Sequence, residues 1–437
     1  MSAIVTDIGT MLRKLTSGGS VRAQLARASL WMLAGTGVQQ LFAMLGSIGA
    51  ARILGETEFG AFGAVRSTTL LFAAVAGTGV GVAATRYVAA LRTVDPARAG
   101  RVVGLILTIA WTISATGALL CVALSRVIAQ NGFHAAGLAL PIAISAVAIV
   151  FAIVGGVQQG VLGGLERFGV SAALIGAEGI ASAVLMVAGA RWGGVTGAVS
   201  GFVVGTGLVF VFKQGLMMAA CRRASIAITT VGMRGETSII GAFVVPAVLL
   251  GVATQPAEWL SRMLLARGPN GLAEVGLLTA AFGWAQLVLF IPSQVAGPTL
   301  PLLTKLSAAG DRAGYKKLLT ESALVVFGVA LAVAVPLAIA SPLIMRAYGR
   351  GFSRGSAALS VIVLAYAVGA VTMVFRGTLL SSGRAWLQNA HVAIWGLVLI
   401  GSFFALRRFG ALGLAESYGA AFVTLAVIQL VTIRRTR

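Results

Sequence analysis

Long apolar runs, separated by short polar segments, constrain this chain more than any other feature of its sequence. An α-helix of about 20 apolar residues spans the hydrocarbon core of a bilayer, whereas transmembrane strands would alternate polar and apolar residues over about ten positions. The sequence therefore predicts an all-α integral membrane protein with about twelve transmembrane helices. The twelve predicted spans are 28–49, 61–86, 101–124, 137–163, 169–190, 195–219, 238–266, 274–300, 319–345, 356–382, 386–406 and 410–433.

The composition supports a lipid environment. Hydrophobic residues make up 58% of the chain and charged residues only 10%, whereas a soluble domain carries about 25% charged residues. The net charge of +21 would suit a nucleic-acid partner, but the cations lie in short clusters between the apolar runs and no nucleic-acid-binding motif accompanies them. We therefore interpret the charge as a topology signal or as a surface for anionic head groups, and expect no nucleic acid as a partner.

The basic residues also predict the orientation in the membrane. With a cytoplasmic N terminus, the cytoplasmic segments hold 21 Lys and Arg residues and the opposite segments hold 10. Cytoplasmic loops are enriched in these residues, so we predict that both termini are cytoplasmic. Arg346, Arg350 and Arg354 depart from this trend on the outer side. We interpret them as contacts for a departing phosphate group or for lipid head groups.

An internal repeat divides the chain into halves. Residues 58–60 align with 274–276 at an offset of 216, and residues 160–162 align with 377–379 at an offset of 217. Six spans return the chain to the same side, so the halves would be parallel repeats with a site between them. The predicted organisation is a cytoplasmic N-terminal segment 1–27, an N-lobe of helices 1–6 at 28–219, a cytoplasmic inter-lobe linker 220–237, and a C-lobe of helices 7–12 at 238–437.

Several stretches resemble one family of membrane proteins. Residues 51–62, ARILGETEFGAF, resemble the first-loop signature Arg-x-Leu-Gly-x-x-Glu-Phe/Tyr-Gly of bacterial polysaccharide flippases. Residues 77–87 resemble the end of that family's second span, 158–164 the end of its fourth span, and 292–306 its proline-interrupted eighth span with the basic loop that follows. The chain is thus similar to the lipid-linked oligosaccharide flippases of the multidrug/oligosaccharidyl-lipid/polysaccharide exporter superfamily.

This resemblance implies a location, an activity and partners. It implies two pseudo-symmetric six-helix lobes in the bacterial inner membrane. It also implies that a polyprenyl-diphosphate-linked oligosaccharide moves from the cytoplasmic to the outer leaflet by alternating access, for cell-surface polysaccharide biosynthesis. The expected partners are this lipid substrate, the membrane lipids and other polysaccharide-assembly proteins.

A diphosphate that crosses the membrane needs cations along its path. Arg66, Arg262 and Arg376 lie within or near predicted spans, and the planar guanidinium group can donate two hydrogen bonds to one phosphate. We therefore predict that these three arginines contact the substrate. Structural interpretations stay open: Arg66 snorkels to the outer interface, Arg262 pairs with Glu258 four residues away, or Arg376 anchors the topology.

The sugar part of such a substrate needs hydrogen-bonding side chains within the spans. Amide and imidazole groups occur in otherwise apolar runs at Gln39, Gln40, Gln158, Gln159 and His391. We predict that these groups line the substrate path. The alternative is that they hydrogen-bond between helices and hold the bundle together.

Two carboxylates are candidates for ion coupling. Glu178 is the carboxylate deep in the predicted fifth span, and Glu258 lies in the seventh. A lone carboxylate in a membrane is protonated or binds a cation, so we predict that these residues couple transport to protons or sodium. The alternatives are a neutral Glu178 hydrogen-bonded between helices and a structural pair of Glu258 with Arg262. No cofactor and no metal site are expected.

Other functions remain as alternatives. An enzyme is disfavoured, because the 12 acidic residues are scattered and the two histidines, His134 and His391, are far apart in sequence. A cation-coupled exporter of another lipid or a drug would share the fold. Multidrug exporters of the superfamily usually carry an acid in the first span, and residues 28–49 contain none. The peptidoglycan-precursor flippase usually has two more helices, and a scaffold protein would not need charges within spans.

Overall fold

The computed structural model describes residues 21–77, 80–236, 254–381 and 384–435. Within these ranges the regular elements are helices, and no strand is present. The α-helices are α1 Val21–Gly77, α2 Val80–Leu91, α3 Pro96–Val127, α4 Ala139–Gly164, α5 Phe168–Arg223, α6 Gln255–Ala266, α7 Gly271–Ala308, α8 Arg312–Ile339, α9 Ser341–Tyr348, α10 Ser356–Ser381, α11 Ala385–Leu406 and α12 Gly410–Arg435.

The described helices fit a polytopic membrane protein. By length and composition, seven stretches of described residues can cross a bilayer, and two of them, Phe168–Arg223 and Trp386–Arg434, have 56 and 49 residues. These two, like the 57 residues of α1, are about twice the length that one crossing needs. Each therefore holds two spans, and the prediction of about twelve transmembrane helices is confirmed. The predicted seventh span, 238–266, lies largely outside the described residues, as do residues 1–20 of the predicted N-terminal segment.

Two predicted outer connections are glycine turns instead of loops. In α1 the only non-helical residue is Gly55, with φ 70° and ψ 177°. In α5 the break is confined to Gly193 and Gly194, where Gly194 has φ 54°. The predicted connection between the spans 28–49 and 61–86 is thus helical on both sides of Gly55. Glycine has no Cβ and adopts a positive φ at little cost, so a single residue suffices to redirect the helix.

The helices pack as two bundles. Helices α1–α5 pack on one another and form the N-lobe, whereas α7–α12 pack on one another and form the C-lobe with α6. Between the bundles, α1 makes its main contact with α7 and a smaller one with α6. The predicted two-lobed all-α fold is thus present in the structure.

The internal repeat extends to the local structure of the lobes. Asp95 caps α3 by accepting a hydrogen bond from the Arg98 backbone N–H at 2.8 Å. Asp311 caps α8 by accepting one from the Gly314 backbone N–H, also at 2.8 Å. The two aspartates are separated by the same 216 residues as the repeat motif. Both side chains satisfy backbone donors that a helix N terminus leaves free.

The glutamate of the repeat motif lies beside a positive-φ glycine at the start of the last helical segment in both lobes. Glu274 Oε2 accepts a hydrogen bond of 2.7 Å from the Ala411 backbone N–H, beside Gly410 with φ 57°. The Glu58 carboxylate lies against Gly194, which has φ 54°. The offsets from Glu58 to Glu274 and from Gly194 to Gly410 are both 216. Each glutamate thus places negative charge at the N-terminal end of its lobe's last helical segment, where the helix dipole favours it.

The glycine of the repeat motif forms the contact between the lobes. A Cβ at Gly60 would overlap the Leu272 carbonyl and the Gly276 nitrogen, and a Cβ at Gly276 would overlap the Glu56 carbonyl. Gly60 and Gly276 are also 216 residues apart, so equivalent residues face each other here. Small residues allow helix backbones to approach closely within a membrane. The pseudo-two-fold axis therefore runs between α1 and α7 at these glycines.

The described part of the predicted linker 220–237 is docked on the N-lobe. Helix α5 continues to Arg223, and the chain then runs along α3 as far as Glu236. The Thr229 backbone N–H donates to the Gly100 carbonyl at 3.4 Å. Arg98 Nε donates to Glu236 Oε1 at 3.0 Å, although Glu236 is buried. The linker is thereby fixed to one lobe before the chain enters the other.

Replacing Gly60 with alanine should destabilise the protein. The added Cβ has no room against the backbone of α7, and overpacking of this kind costs about 1–3 kcal/mol. We expect a lower midpoint of thermal unfolding in detergent, measured by fluorescence of the seven tryptophans. Gly37→Ala is the matched control, because a Cβ there meets nothing within 4 Å. Equal midpoints for the two variants would contradict the close packing.

Candidate functional site

A cavity of about 250 Å³ lies between the two lobes. The N-lobe contributes residues of α1 and α5, and the C-lobe contributes residues of α6, α7 and α9. We call it the central cavity. The polar and aromatic side chains of its lining are Gln40, Ser47, Phe59, Phe62, Arg66, Ser67, Ser182, Phe202, Gln255, Glu258, Arg262, Thr279, Phe282, Gln286 and Tyr348.

Arg66 is the N-lobe cation of the central cavity. It lies eleven residues after Gly55, which is roughly three helical turns and deeper than the sequence predicted. Its side chain is exposed, and it lines the central cavity between the lobes. No described residue forms a hydrogen bond or an ion pair with it. The guanidinium group therefore has its donors available for a ligand.

Arg262 is the C-lobe cation of the same cavity. Its Nη2 lies 3.7 Å from Glu258 Oε2, one helical turn earlier on α6. This separation is longer than a hydrogen bond, so the pair is loose. The guanidinium carbon also lies 4.5 Å from the centre of the Phe282 ring, a cation–π contact. The structure thus brings together two of the three predicted arginines, Arg66 and Arg262, with Glu258 beside them.

Polar groups from both lobes complete the lining. Of the predicted sugar contacts, Gln40 lines the cavity. Gln255, Thr279 and Tyr348 also line it, and the sequence did not single them out for this site. Thr279 lies on the largely apolar helix α7, whose inward face could not be read from its periodicity. Gln255 lies one turn before Glu258 on the short amphipathic helix α6, and this spacing could have placed it beside Glu258.

Four other predicted sugar contacts are absent from this lining: Gln39, Gln158, Gln159 and His391. Gln158 is fully buried within the N-lobe and donates a 2.8 Å hydrogen bond to Gln214 on α5. His391 Nε2 lies 3.2 Å from the Thr432 hydroxyl on α12. The alternative interpretation, hydrogen bonding between helices, therefore fits Gln158 and His391 better. In both cases the polar group finds its partner on the neighbouring helix of the same lobe.

Glu178 lies in a second cavity, of about 160 Å³, inside the N-lobe. Arg66 and Phe62 line both cavities. Glu178 is not a lone carboxylate, because its Oε2 lies 3.1 Å from the Lys213 Nζ. Lys213 belongs to α5, and its side chain is only 8% exposed. A lysine thus supplies the positive charge that this carboxylate would otherwise take from a bound cation.

Arg376, the third predicted arginine, lies apart from these cavities. Its side chain is exposed on α10, near the end of the helix at Ser381. It does not contribute to the lining of the central cavity or of the N-lobe cavity. Its contact with substrate stays a prediction.

Aromatic side chains close the central cavity at the end where α1 turns at Gly55, which we call the Gly55 end. Phe59 packs against Tyr348 and Phe352 with ring centres 6.2 and 5.9 Å apart, and Tyr348 packs against Phe352 at 5.6 Å. All three are almost fully buried. Because Phe59 belongs to the N-lobe and the other two to the C-lobe, this cluster joins the lobes.

Polar contacts join the lobes above the aromatic cluster. Arg354 Nη2 lies 3.0 Å from Glu56 Oε2, and Arg354 Nη1 lies 4.0 Å from Glu274 Oε1. Arg52 Nε donates to the Ala347 carbonyl at 2.6 Å. Arg354 was predicted to meet phosphate or lipid head groups, whereas the structure uses it to connect the N-lobe to the C-lobe. The sequence could not reveal its partner Glu56, which lies 298 residues away.

Two further contacts cross between the lobes, and one of them lies deeper in the bundle, at Thr68 two residues beyond Arg66. Trp259 Nε1 donates to the Thr68 hydroxyl at 3.0 Å, and Arg267 Nε donates to the Gly132 carbonyl at 3.0 Å. Among the described residues, the aromatic cluster and the contacts of Arg52 and Arg354 thus join the lobes at the Gly55 end. The protein is in a conformation closed at the Gly55 end.

The fold and the cavity define a class of protein. The structure superposes on an inward-facing multidrug resistance MATE family transporter of the MOP superfamily with a TM-score of 0.79, at 14% identity over 94% of this chain and 98% of that one. It also superposes on the lipid II flippase MurJ with a TM-score of 0.71, at 14% identity over 93% of this chain and 87% of that one. The chain therefore has the fold of a membrane transporter or flippase.

The sequence comparisons identify the family. Residues 25–307, more than half of the chain, match the family described as polysaccharide biosynthesis protein. The EPS I polysaccharide export inner membrane protein EpsE of Ralstonia solanacearum is 24% identical over 206 residues. These residues are 46% of this chain and 47% of EpsE, so the chain spans about half the length of the curated relative that it matches.

The chain belongs to this polysaccharide biosynthesis family and has several helices long and apolar enough to cross a membrane. The two structural neighbours are a transporter and a flippase. The family and the fold predicted from residues 51–62 and the other short motifs are thereby confirmed.

Replacing Arg354 with alanine should favour opening at the Gly55 end. The change removes both ion pairs that link this residue to Glu56 and Glu274. Only the Glu56 pair crosses between the lobes, because Glu274 belongs to α7 of the C-lobe. An exposed pair contributes about 0.2–1 kcal/mol, so we expect up to about a fivefold rise in the ratio of open to closed molecules. Electron–electron resonance between spin labels at Gln130 and Leu343, exposed residues of opposite lobes, would show this rise as a longer-distance population.

The control for this experiment is Lys317→Ala, which removes an exposed pair with Glu321 within one helix. Because this pair does not join the lobes, the distance distribution should stay that of the parent. An unchanged distribution for Arg354→Ala would show that the Arg354 pairs do not hold the Gly55 end closed.

Proposed function

We propose that this protein moves a polyprenyl-diphosphate-linked oligosaccharide from the cytoplasmic to the outer leaflet of the bacterial inner membrane, for cell-surface polysaccharide biosynthesis. The family supports a role in polysaccharide assembly, and the fold supports transport of a lipid-linked molecule. The observation that carries the proposal is Arg66, which faces the central cavity between the lobes with no partner among the described residues.

The charge of the central cavity favours an anion. Among its described lining residues, Arg66 and Arg262 are cationic and Glu258 is anionic. A cation deep in a membrane protein costs several kcal/mol unless it faces water or a partner. A diphosphate would supply that partner, because guanidinium groups donate paired hydrogen bonds to phosphate oxygens. The net positive lining disfavours a cationic drug, which a multidrug exporter of the same superfamily would carry.

The size of the central cavity fits the head group better than the whole substrate. Its volume of about 250 Å³ is below the 300–1,000 Å³ of typical pockets for drug-sized ligands. We propose that it receives the diphosphate and the adjoining sugar, with Gln40, Gln255 and Gln286 as hydrogen-bonding partners for the sugar. The polyprenyl tail would stay in the lipid, since its transfer into a polar cavity would lose hydrophobic stabilisation.

Glu258 competes with the substrate for Arg262. At 3.7 Å the carboxylate neutralises part of the Arg262 charge without a hydrogen bond. A bound diphosphate would draw Arg262 away from Glu258, and the pair would re-form when the diphosphate leaves. We therefore propose that Glu258 keeps the site from binding its substrate too tightly to release it.

Alternating access would use the contacts at the Gly55 end. In the described conformation the aromatic cluster and the Arg354 ion pairs close this end. Release to the outer leaflet requires these contacts, and the close approach of Gly60 and Gly276 beside them, to separate as the lobes rock. Two packed lobes with a site between them are the arrangement that such a motion needs.

We also propose that Glu178 couples transport to protons and not to sodium. The Lys213 ammonium already lies 3.1 Å from its Oε2, where a sodium ion would otherwise balance the charge. Arg376, exposed near the end of α10, is proposed to make the first contact with the head group at the cytoplasmic surface.

Replacing Arg66 with alanine should nearly abolish transfer of the lipid-linked oligosaccharide in sealed proteoliposomes. A hydrogen bond to a charged group contributes about 1.5–3 kcal/mol, so we expect a fall of roughly tenfold to a hundredfold. Arg66→Lys should retain part of the activity, because it keeps the charge but loses the paired donors. Arg126→Ala removes an exposed arginine outside the central cavity and should transfer like the parent.

The outcomes of this assay are separable. Full transfer by Arg66→Ala would overturn the assignment of the site while leaving the function intact. If the parent protein moves no polyprenyl-diphosphate oligosaccharide, with either a proton or a sodium gradient, the proposed substrate is wrong.

Replacing Glu258 with glutamine should slow turnover and tighten binding. The change frees Arg262 from its ion pair and leaves it available to the diphosphate. We expect both KM and kcat for transfer to fall, since a site that binds the substrate more tightly releases it more slowly. Glu321→Gln, which alters an exposed pair on α8, is the control. A higher KM for Glu258→Gln would show that Glu258 helps to bind the substrate.

A further inference from the structure

A separate cleft of about 730 Å³ opens on the C-lobe at the Gly55 end. It lies between the end of α6 with its following turn and the turn that joins α11 to α12. We call it the C-lobe cleft. It shares no lining residue with the central cavity. Its lining residues are Leu264, Leu265, Arg267, Gly268, Pro269, Glu274, Phe403, Phe404, Arg407, Arg408, Phe409 and Gly410.

One wall of the C-lobe cleft is cationic. Arg407 and Arg408 are both exposed, and no described carboxylate pairs with either of them. The Arg408 guanidinium carbon lies 4.6 Å from the centre of the Phe409 ring, which holds it in place while leaving its edge free. Two adjacent guanidinium groups with free donors form a binding site for phosphate oxygens.

The carboxylate in the C-lobe cleft does not neutralise these arginines. Glu274 Oε2 accepts a 2.7 Å hydrogen bond from the Ala411 backbone N–H, and Oε1 faces Arg354 at 4.0 Å. Arg267 is also occupied, because it donates to the carbonyls of Asn131 and Gly132 in the N-lobe. The free positive charge of the cleft therefore comes from Arg407 and Arg408.

The opposite wall of the cleft is apolar. Leu264, Leu265, Phe403 and Phe404 line it, and Phe404 is 54% exposed. These residues lie in the last turns of α6 and α11, within about one turn of the arginines. The cleft thus presents cations at the level of the helix ends and apolar side chains deeper along the helices. A membrane lipid has this same order of phosphate and acyl chain.

We propose that the C-lobe cleft binds an anionic phospholipid of the surrounding membrane. Its phosphate lies between Arg407 and Arg408, and one acyl chain runs along Phe404 and Leu264. The transported lipid is not the occupant, because the cleft and the central cavity have no residue in common. The lipid would explain why two neighbouring arginines lie unpaired at the end of the bundle that the charge distribution predicts to face outward.

Native mass spectrometry of the full chain, delipidated and then given phosphatidylglycerol or phosphatidylcholine, tests this proposal. We expect the parent to retain one phosphatidylglycerol in preference to phosphatidylcholine. The double variant Arg407→Ala, Arg408→Ala should bind phosphatidylglycerol on the order of thirtyfold more weakly. Each arginine is expected to strengthen the binding of an anionic lipid roughly fivefold to sixfold, and the two factors multiply. The control Arg126→Ala, Arg191→Ala removes two exposed arginines predicted on the same side and should bind like the parent.

Each result of this experiment decides the proposal. The proposal is overturned if both double variants lose the same affinity for phosphatidylglycerol, or if the parent shows no preference for this lipid. Either result would mean that the arginines act only as a general basic surface. Retention of a polyprenyl diphosphate that phosphatidylglycerol cannot displace would assign the cleft to the transported lipid and overturn it as well. Thermal unfolding of all variants without added lipid would identify a variant that fails to fold, and Arg408→Lys would then replace it.

Discussion

The close packing of α1 on α7 at Gly60 and Gly276 is the contact on which the rest of the structure depends. Without side chains at these positions, the two backbones approach until neither has room for a Cβ. Within a bilayer, lipid supplies no hydrophobic driving force between helices, so helices associate through close packing at small residues. The approach places the two lobes face to face, and the central cavity, the aromatic cluster and the Arg354 ion pairs all lie along this one seam.

The charged side chains along the contact between the lobes then determine what can bind there. The chain has only 12 acidic residues against 33 lysines and arginines. Most of the described carboxylates already pair with a basic side chain or accept a hydrogen bond from the backbone. Glu274 accepts a hydrogen bond from the Ala411 N–H at the start of α12. Glu56 forms an ion pair with Arg354, and Glu178 forms one with Lys213. Arg66 is left without such a partner among the described residues. A cation in a membrane protein that no carboxylate neutralises needs an anion or water, and the central cavity offers room for either.

The sequence predicted the fold well because its strongest signals are local. Length and hydropathy identify a span wherever it occurs. The repeat of residues 58–60 at 274–276 predicted that the chain folds as two similar lobes. The same local signals could not show helix facing, since nearly every position in a span is apolar. Gln40 and Gln158 therefore looked alike, although one lines the cavity and the other bonds to Gln214. The partners of Glu178 and Arg354 were also invisible, because each is distant in sequence.

The head group of a diphosphate lipid is proposed to bind between the lobes, at Arg66 and Arg262 of the central cavity. Photo-crosslinking with a polyprenyl diphosphate that carries a photoreactive group beside the phosphates tests this directly, with mass spectrometry to locate the modified peptides. We expect the diphosphate probe to label the second half of α1 and also α6 and α7, at a level well above the labelling by a neutral polyprenol with the same photoreactive group. Labelling confined to α10 near Arg376, or equal labelling by the polyprenol, would contradict it.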